Sequence, residues 1–149
     1  MRGHIEEMWV NAKFKKFLDK QVEKIGQDFG LKGVEVYVLL FISTHPDCNT
    51  GKKIQEGLNI NKGYLSQVME KLYKDGYIRA EQDAKDRRYI HYFSTETAEP
   101  IINKLHENKR RIDARIFEGV TAEEIETMQI IMKKIEVNMQ QFLAELDKL

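Results

Sequence analysis

The chain has 149 residues with 24 basic (Lys and Arg) and 24 acidic (Asp and Glu) side chains, and its zero net charge excludes a histone-like polycation. Hydrophobic residues make up 42% of the sequence and charged residues 32%, which is enough apolar material for a core and argues against bulk disorder. No apolar run approaches the roughly 20 residues of a membrane span, no signal-like start is visible, and Cys48 has no second cysteine to pair with. We therefore expect a soluble cytoplasmic protein with no membrane partner.

The charges are unevenly distributed along the chain. Residues 49–93 contain nine basic and six acidic side chains, whereas residues 94–149 contain eight basic and eleven acidic ones. A polyanion, if one is bound, is therefore expected on the middle segment, where the basic side chains are in excess.

The first two predicted elements precede this basic segment. Residues 5–29 place apolar side chains at helical spacing and predict an amphipathic helix, which Gly30 and Gly33 interrupt. Residues 34–42 are ambiguous, since valines at alternate positions favour a strand whereas the continuous apolar run also suits a buried helix.

Two short helices joined by a tight turn are predicted next. Thr50 is a suitable N-cap for a helix over 51–57, Asn59 tolerates a left-handed turn conformation, and Asn61 caps the second helix. Asp75-Gly76 ends this second helix. Its core-facing stripe consists of Leu65, Val68, Met69 and Leu72.

A hairpin and two long helices complete the chain. Residues 77–80 and 89–93 are β-like, and the charged stretch between them forms the hairpin tip. The next helix begins at Ser94 or Thr95 and reaches about Phe117; because proline is tolerated only in the first helical turn, Pro100 predicts a later start or a distortion. A capping box, Thr121-Ala-Glu-Glu124, opens the last helix. The predicted inward residues of the first of these helices are Ile101, Ile102, Leu105, Ile112 and Ile116. The last helix has an apolar stripe that a small winged helix cannot fully cover and that therefore predicts a dimer interface; it includes Ile125, Met128, Met132, Ile135, Met139, Phe142 and Leu146.

This order of elements predicts a winged helix-turn-helix that binds duplex DNA. In such a motif the second helix lies in the major groove, with its N-terminal residues near base edges. The predicted DNA-binding residues of the two helices are Lys52, Lys53, Lys62, Gly63, Tyr64, Ser66, Gln67 and Lys71, with Lys74 as a further phosphate contact. An ordinary exposed helix face is the alternative interpretation of these residues.

The hairpin tip is the second predicted DNA contact. Lys85, Arg87 and Arg88 are expected on the neighbouring minor groove or its phosphates. Asp86 is predicted to shape the tip by pairing with an arginine, and the sequence favours neither Arg87 nor Arg88 as its partner. A solvated charged turn without a ligand is the alternative.

Several stretches of this sequence resemble the MarR family of bacterial transcription regulators. They are residues 58–72, Lys74-Asp-Gly-Tyr-Ile78, the wing Asp83-Ala-Lys-Asp-Arg-Arg88, and Phe93-Ser94. The resemblance covers essentially the whole chain and implies that the ambiguous run 34–42 is a helix. Departures from the family pattern are Gln55 for a usual alanine, Gln67 for a frequent arginine, Ser94 for a threonine, and Ala98 for a common glycine.

The expected fold is mainly α with a small β-hairpin wing, a single domain over 1–149. Residues 31–93 are the winged helix-turn-helix, and the resemblance implies that 1–30 and 94–149 form helical dimerisation parts. It also implies an effector pocket, because many members respond to small aromatic or phenolic compounds. The candidate pocket residues are Met8, Trp9, Phe17, Tyr37 and Phe41. Ordinary core packing is the simpler interpretation of these side chains.

The predicted function is sequence-specific binding of double-stranded DNA by a homodimer on a pseudo-palindromic operator, as a ligand-responsive repressor. No catalytic constellation, metal site or cofactor motif is visible, so an enzyme is not expected. The alternatives are a winged-helix protein-interaction module without DNA binding and a small-molecule-binding protein that uses the dimer cleft.

Overall fold

The computed structural model describes the backbone of residues 4–149 and the side chains of residues 12–149. Two 3-10 turns (Pro46–Cys48 and Glu96–Ala98) and eight larger elements are formed within this range. The larger elements are α1 (His4–Gln27), α2 (Gly33–Thr44), α3 (Gly51–Leu58), α4 (Lys62–Lys74), β1 (Ile78–Gln82), β2 (Ile90–Ser94), α5 (Glu99–Ile116) and α6 (Ala122–Leu146). The predicted mainly helical fold with a two-stranded wing is confirmed. The chain divides into two compact units, Met1–Lys109 and Arg110–Leu149.

Helix α2 lies in the centre of the first unit. Val36, Val38 and Leu39 are fully buried, so side chains on several faces of the helix contact the core. A helix that is apolar on all sides has no amphipathic pattern, which is why residues 34–42 are ambiguous by periodicity.

Local capping defines the helix-turn-helix. The Thr50 hydroxyl accepts a hydrogen bond from the Lys53 amide, and Asn61 Oδ1 accepts from the amides of Gly63 (2.8 Å) and Tyr64 (3.3 Å). Asn59, in the turn, has a positive φ of 51°. The predicted stripe of α4 is buried, with Leu65, Val68, Met69 and Leu72 all in the core.

A glycine permits the close packing of α3 on α2. A Cβ atom added at Gly57 would overlap the ring of Phe41. Any larger residue at this position would therefore push α3 away from α2 and displace the turn that leads into α4.

The hairpin is longer on its first side than predicted. Strands β1 and β2 are antiparallel, with Ile78 opposite Ser94 and Gln82 opposite Ile90. The additional residues of β1 are polar and exposed, so hydrophobic alternation in the sequence does not predict that the strand includes them. The other edge of β2 is tied to the residues before α3, since the Tyr92 amide donates to the Asn49 carbonyl at 2.9 Å.

Helix α5 starts later than Ser94 or Thr95. A 3-10 turn precedes it, and Pro100 occupies its first turn, where a proline costs no hydrogen bond. Ile101 and Leu105 are buried as expected, whereas Ile116 is 48% exposed and not inward in the single chain.

Helix α6 begins with the predicted capping box. The Thr121 hydroxyl accepts from the Glu124 amide at 3.1 Å, and the Glu124 carboxylate accepts from the Thr121 amide at 2.8 Å. None of its side chains is buried, so the apolar stripe of α6 is exposed in the single chain. Among the described residues, no helix is long and apolar enough to cross a membrane.

Candidate nucleic-acid interface

The N-terminal half of α4 presents a continuous polar face. Lys62, Tyr64, Ser66 and Gln67 are exposed, because the buried stripe occupies the opposite side of the helix. The Ser66 hydroxyl donates to the Lys62 carbonyl at 3.0 Å. Among the described residues, neither Tyr64 nor Gln67 uses its side chain in a hydrogen bond, so both remain available to a ligand.

A groove of about 710 Å³ runs beside this face, between α3, α4 and the hairpin. Lys52 and Lys62 line it on the helix side, and Tyr92 lines it on the strand side. Of the predicted DNA-binding residues, Lys52, Lys62 and Ser66 line this groove.

The lysines that are predicted to contact phosphates differ in the bonds that they already make within the chain. Lys53 Nζ donates to the Asp47 carbonyl at 3.0 Å. Lys71 Nζ lies 3.0 and 2.9 Å from the two carboxylate oxygens of Glu35, which is only 4% exposed. The Glu35 carboxylate also accepts from the Lys32 amide at 2.8 Å, at the start of α2.

Because of this contact, Lys71 neutralises a buried charge. The hydrogen bond to Glu35 raises the pKa of Lys71, and Asp75 adds a smaller attraction in the same direction. An unpaired buried carboxylate would be costly, so Lys71 has an internal role besides its predicted phosphate contact.

Two aspartates order the wing tip. Asp83 Oδ1 accepts from the amides of Lys85 (2.8 Å) and Asp86 (2.9 Å). Asp86 in turn accepts from the Arg88 amide, Nε and Nη2 at 3.1, 3.0 and 2.8 Å, and these bonds lower the pKa of Asp86. The structure thus selects Arg88 as the partner of Asp86.

The two wing arginines are consequently unlike each other. Arg88 is held against Asp86, although its side chain is still 86% exposed. The Arg87 carbonyl accepts a bond from Gln82, but among the described residues its guanidinium has no partner. Lys85 is exposed beside it. Arg87 and Lys85 are therefore the cations of the tip that are free to meet a phosphate.

Two polar residues that the sequence did not single out, Asn49 and His91, connect the wing residue Asp83 to the helix-turn-helix. His91 lies between Asn49 and Asp83, with a ring nitrogen 2.6 Å from Asn49 Oδ1 and the other 2.8 Å from Asp83 Oδ2. The bond from His91 is the main reason why the pKa of Asp83 falls to about 2, and the two backbone amides add to the effect. The sequence shows the Asp83-to-Asp86 spacing of the wing, but nothing in it indicates that Asn49 is a partner of His91.

The candidate effector-pocket residues have separate protein contacts. The Phe17 ring stacks on Phe14, and the Tyr37 hydroxyl donates to Asp19 at 2.5 Å. Phe41 stacks on His45, with ring centroids 4.4 Å apart. Met8 and Trp9 lie outside the described side chains. Phe17, Tyr37 and Phe41 line neither the groove beside α4 nor a second cavity of about 460 Å³ on α6.

Known proteins share this arrangement of the two helices and the wing. The model of the MarR family matches residues 29–88, from the turn after α1 to the wing tip. Over this segment the chain is similar to the MarR family. The predicted family is therefore confirmed, and the match includes α3, α4 and the Asp83–Arg88 tip.

Relatives extend the likeness to most of the chain. The transcriptional regulator BilQ of Clostridium symbiosum is 24% identical over 122 residues, covering 82% of this chain and 81% of BilQ. A MarR-family regulator of Listeria monocytogenes, crystallised with a 26-mer DNA, has a TM-score of 0.79 at 20% identity and covers 99% of this chain and 96% of its own. MepR of S. aureus, also in a DNA complex, has a TM-score of 0.71 at 14% identity, covering 89% of this chain and 97% of its own. BilQ and the Listeria monocytogenes protein are transcriptional regulators and not enzymes, in agreement with the prediction that this protein is not an enzyme.

Proposed function

We propose that this MarR-family protein is a cytoplasmic transcription regulator that binds duplex DNA in a sequence-specific manner. The observation that carries the proposal is the exposed, Asn61-capped N-terminal face of α4 beside an ordered basic wing. A helix presented in this way fits the major groove, while a wing beside it reaches the adjacent backbone or minor groove. Two structurally similar proteins were crystallised with DNA, which supports the same role here.

Each part of the surface has a distinct role in this proposal. Tyr64, Ser66 and Gln67 contact base edges, and Gly63 allows the backbone to approach the DNA closely. Phosphate contacts come from lysines of the two helices, and the wing tip holds the flanking groove. The residues proposed for phosphates and the wing contact are Lys52, Lys53, Lys62, Lys71, Lys74, Lys85, Arg87 and Arg88.

Selection of binding sites from random duplexes, followed by titration at two salt concentrations, tests this function. The selected site should bind more tightly than random DNA, and the affinity should fall steeply with salt because phosphate contacts release counterions. The proposal fails if no sequence is enriched. Weak binding of all sequences would favour a protein-interaction module in place of a regulator.

We propose that the working form is a homodimer built partly from α6. Its exposed apolar side chains recur at helical spacing, and an uncovered stripe of this length is typical of an interface. The exposed residues are Met128, Ile131, Met132, Ile135, Met139, Phe142 and Leu146. Sedimentation at micromolar concentration should give about twice the 17.5 kDa chain mass, and a monomer would contradict the proposal.

A two-fold dimer implies an operator with two half-sites. Their centres should lie about one helical turn, roughly 10 bp, apart, so that both α4 helices face the same side of the duplex. Inserting half a turn between the half-sites should abolish tight binding. Undiminished affinity for the longer site would show that the two protomers bind independently.

The finer proposal is repression that a small aromatic effector relieves. Its support is the family membership together with the half-buried aromatic side chains of α1 and α2, Phe17, Tyr37 and Phe41. A screen of aromatic acids and phenols against the protein–operator complex should identify a compound that releases the DNA. Tyr37→Phe should change the response to that compound and leave DNA binding without it unaltered.

A further inference from the structure

The wing is joined to the helix-turn-helix through a polar bridge that crosses 42 residues of sequence. His91, on β2, contacts Asn49 Oδ1 through Nδ1 at 2.6 Å and Asp83 Oδ2 through Nε2 at 2.8 Å. Asn49 is only 5% exposed, and the side chains of His91 and Asp83 are about 30% exposed. The bridge is thus anchored in the interior at one end and reaches the wing loop at the other.

Both ends of the bridge belong to the proposed DNA-binding machinery. Asn49 directly precedes Thr50, the N-cap of α3, and Thr50 forms a β-bridge with His91. Asp83 fixes the wing tip through the amides of Lys85 and Asp86. His91 therefore connects the beginning of the helix pair with the loop that carries the free cations of the tip.

The two partners of His91 use both nitrogens of its ring. An ionised carboxylate only accepts hydrogen bonds, so Nε2 donates to Asp83. Nδ1 meets the side-chain amide of Asn49, which can accept through its oxygen or donate through its NH₂. His91 is therefore bonded at both ends of the ring at once.

The other charged side chains on the elements that pack against β2 either have partners of their own or are exposed. Elements β1, α2 and α3 pack against β2. On β1, Glu81 is the register partner of His91 and is paired with Arg79, and on α2 the buried Glu35 is held by Lys71. The ionisable residues of α3 are the exposed Lys52, Lys53 and Glu56. Asp83 is thus the carboxylate that the ring itself contacts.

We propose that His91 is a positioning residue for DNA binding, whose ring, bonded at both nitrogens, fixes the wing in register with α3 and α4. This inference rests on the proposed function. With the bridge formed, the wing tip and the α4 face meet one duplex as a rigid pair, so no ordering of the wing is needed on binding.

Two isosteric substitutions separate the halves of the bridge. In His91→Gln the side-chain amide NH₂ takes the place of Nε2 and keeps the bond to Asp83, whereas in His91→Asn it takes the place of Nδ1 and keeps the bond to Asn49. His106→Gln, on α5, is the matched control because it removes a half-buried histidine outside the wing.

The experiment measures operator affinity and its salt dependence for the wild-type protein and each variant. We expect His91→Asn to bind about tenfold more weakly than the wild-type protein, the change for the lost charge-assisted hydrogen bond to Asp83. His91→Ala, which keeps neither bond, should bind more weakly than either isostere and show a smaller salt dependence, because the wing cations are no longer held at the phosphates. His106→Gln should bind like the wild-type protein. Wild-type affinity and salt dependence in His91→Ala would overturn the proposal.

A measurement without DNA separates this inference from the proposed function. In nitrogen NMR spectra, Asp83→Asn should shift the Nε2 signal of His91 more than the signals of His106. Failure of the wild-type protein to bind any duplex, with this shift present, refutes the function but leaves the bridge. Tight DNA binding by the wild-type protein without this shift refutes the role of His91 alone.

Discussion

Helices α4 and α6 both begin at a side-chain cap, but their apolar stripes lie in opposite environments. Each starts at a side-chain cap and carries an apolar stripe at helical spacing. The stripe of α4 is buried, with Leu72 fully inaccessible, whereas no side chain of α6 is buried and Phe142 is 61% exposed. An amphipathic pattern thus shows that a helix needs a partner surface but not whether the same chain provides it.

The difference also separates a region that is complete in itself from one that is not. From α2 to β2 the buried polar groups have partners within the chain, such as Lys71 for Glu35 and His91 for Asn49. The stripe of α6 has no such cover within the second unit. Changes in the first region should therefore act through folding or DNA contacts, and changes in α6 through association.

The largest effect is expected from a charge placed in the apolar stripe of α6. Ile135→Asp should give a monomer, because a carboxylate in an apolar interface loses its hydration without gaining a partner. A monomer holds one half-site at a time, so operator affinity should drop by roughly 10²- to 10⁴-fold. Gln141→Asp, on the opposite face of α6, is the control and should remain dimeric in sedimentation. A dimeric Ile135→Asp protein would place the interface elsewhere.

The buried stripe of α4 should respond through stability instead. Leu72→Ala should lower the free energy of unfolding by about 2–5 kcal/mol, because it leaves a cavity in the core. Tyr73→Ala, one residue away and 60% exposed, should change it by no more than about 0.5 kcal/mol. Urea denaturation at fixed protein concentration measures both. Equal effects would mean that the α4 stripe is not the part of the helix that holds the domain together.

The polar face of α4 should affect sequence preference and not stability. Gln67→Ala and Tyr64→Ala should each cost roughly 1–3 kcal/mol of binding free energy on the selected operator and little on random DNA. Titrations on both DNAs, with urea denaturation as the control for folding, measure this. Equal losses on the two DNAs would assign this face to the phosphate backbone.

The wing tip provides a smaller contrast between two adjacent arginines. Arg87→Ala should reduce the salt dependence of binding by about one unit per protomer, since it removes one phosphate contact. Arg88→Ala and Asp86→Ala should instead resemble each other, and the double variant should be no worse than either, because the two residues act as one pair. Additive losses would show that Arg88 contacts DNA independently of Asp86.

The smallest expected effect is the acid titration of the wing loop. The pKa of Asp83 is lowered from 3.8 to about 2, so its hydrogen bonds stabilise the folded wing fully above about pH 4 and are lost as the pH falls through 2. The amide signals of Lys85 and Asp86 should follow this titration in NMR spectra, and Asp83→Asn should abolish it. A midpoint near 4 would show that the loop bonds are absent in solution.

Short-range features of this protein follow from its sequence alone. Asn61 caps α4, Asn59 adopts the left-handed turn, and Thr121 with Glu124 forms the capping box, all as predicted. Each of these depends on residues within four positions of one another, so the side-chain chemistry specifies it without the rest of the fold. The helix-turn-helix and its family are recognisable for the same reason.

Tertiary structure decided the features that depend on distant residues. Residues 34–42 are helical because the core surrounds them on several sides, an environment that periodicity within the segment does not encode. The pairs Lys71–Glu35 and His91–Asn49 join positions 36 and 42 residues apart. Even Arg88, two residues from Asp86, is selected over Arg87 by the direction in which the folded loop points each side chain. A hydrogen bond depends on distance and orientation in space, and for these groups only the packed backbone sets both.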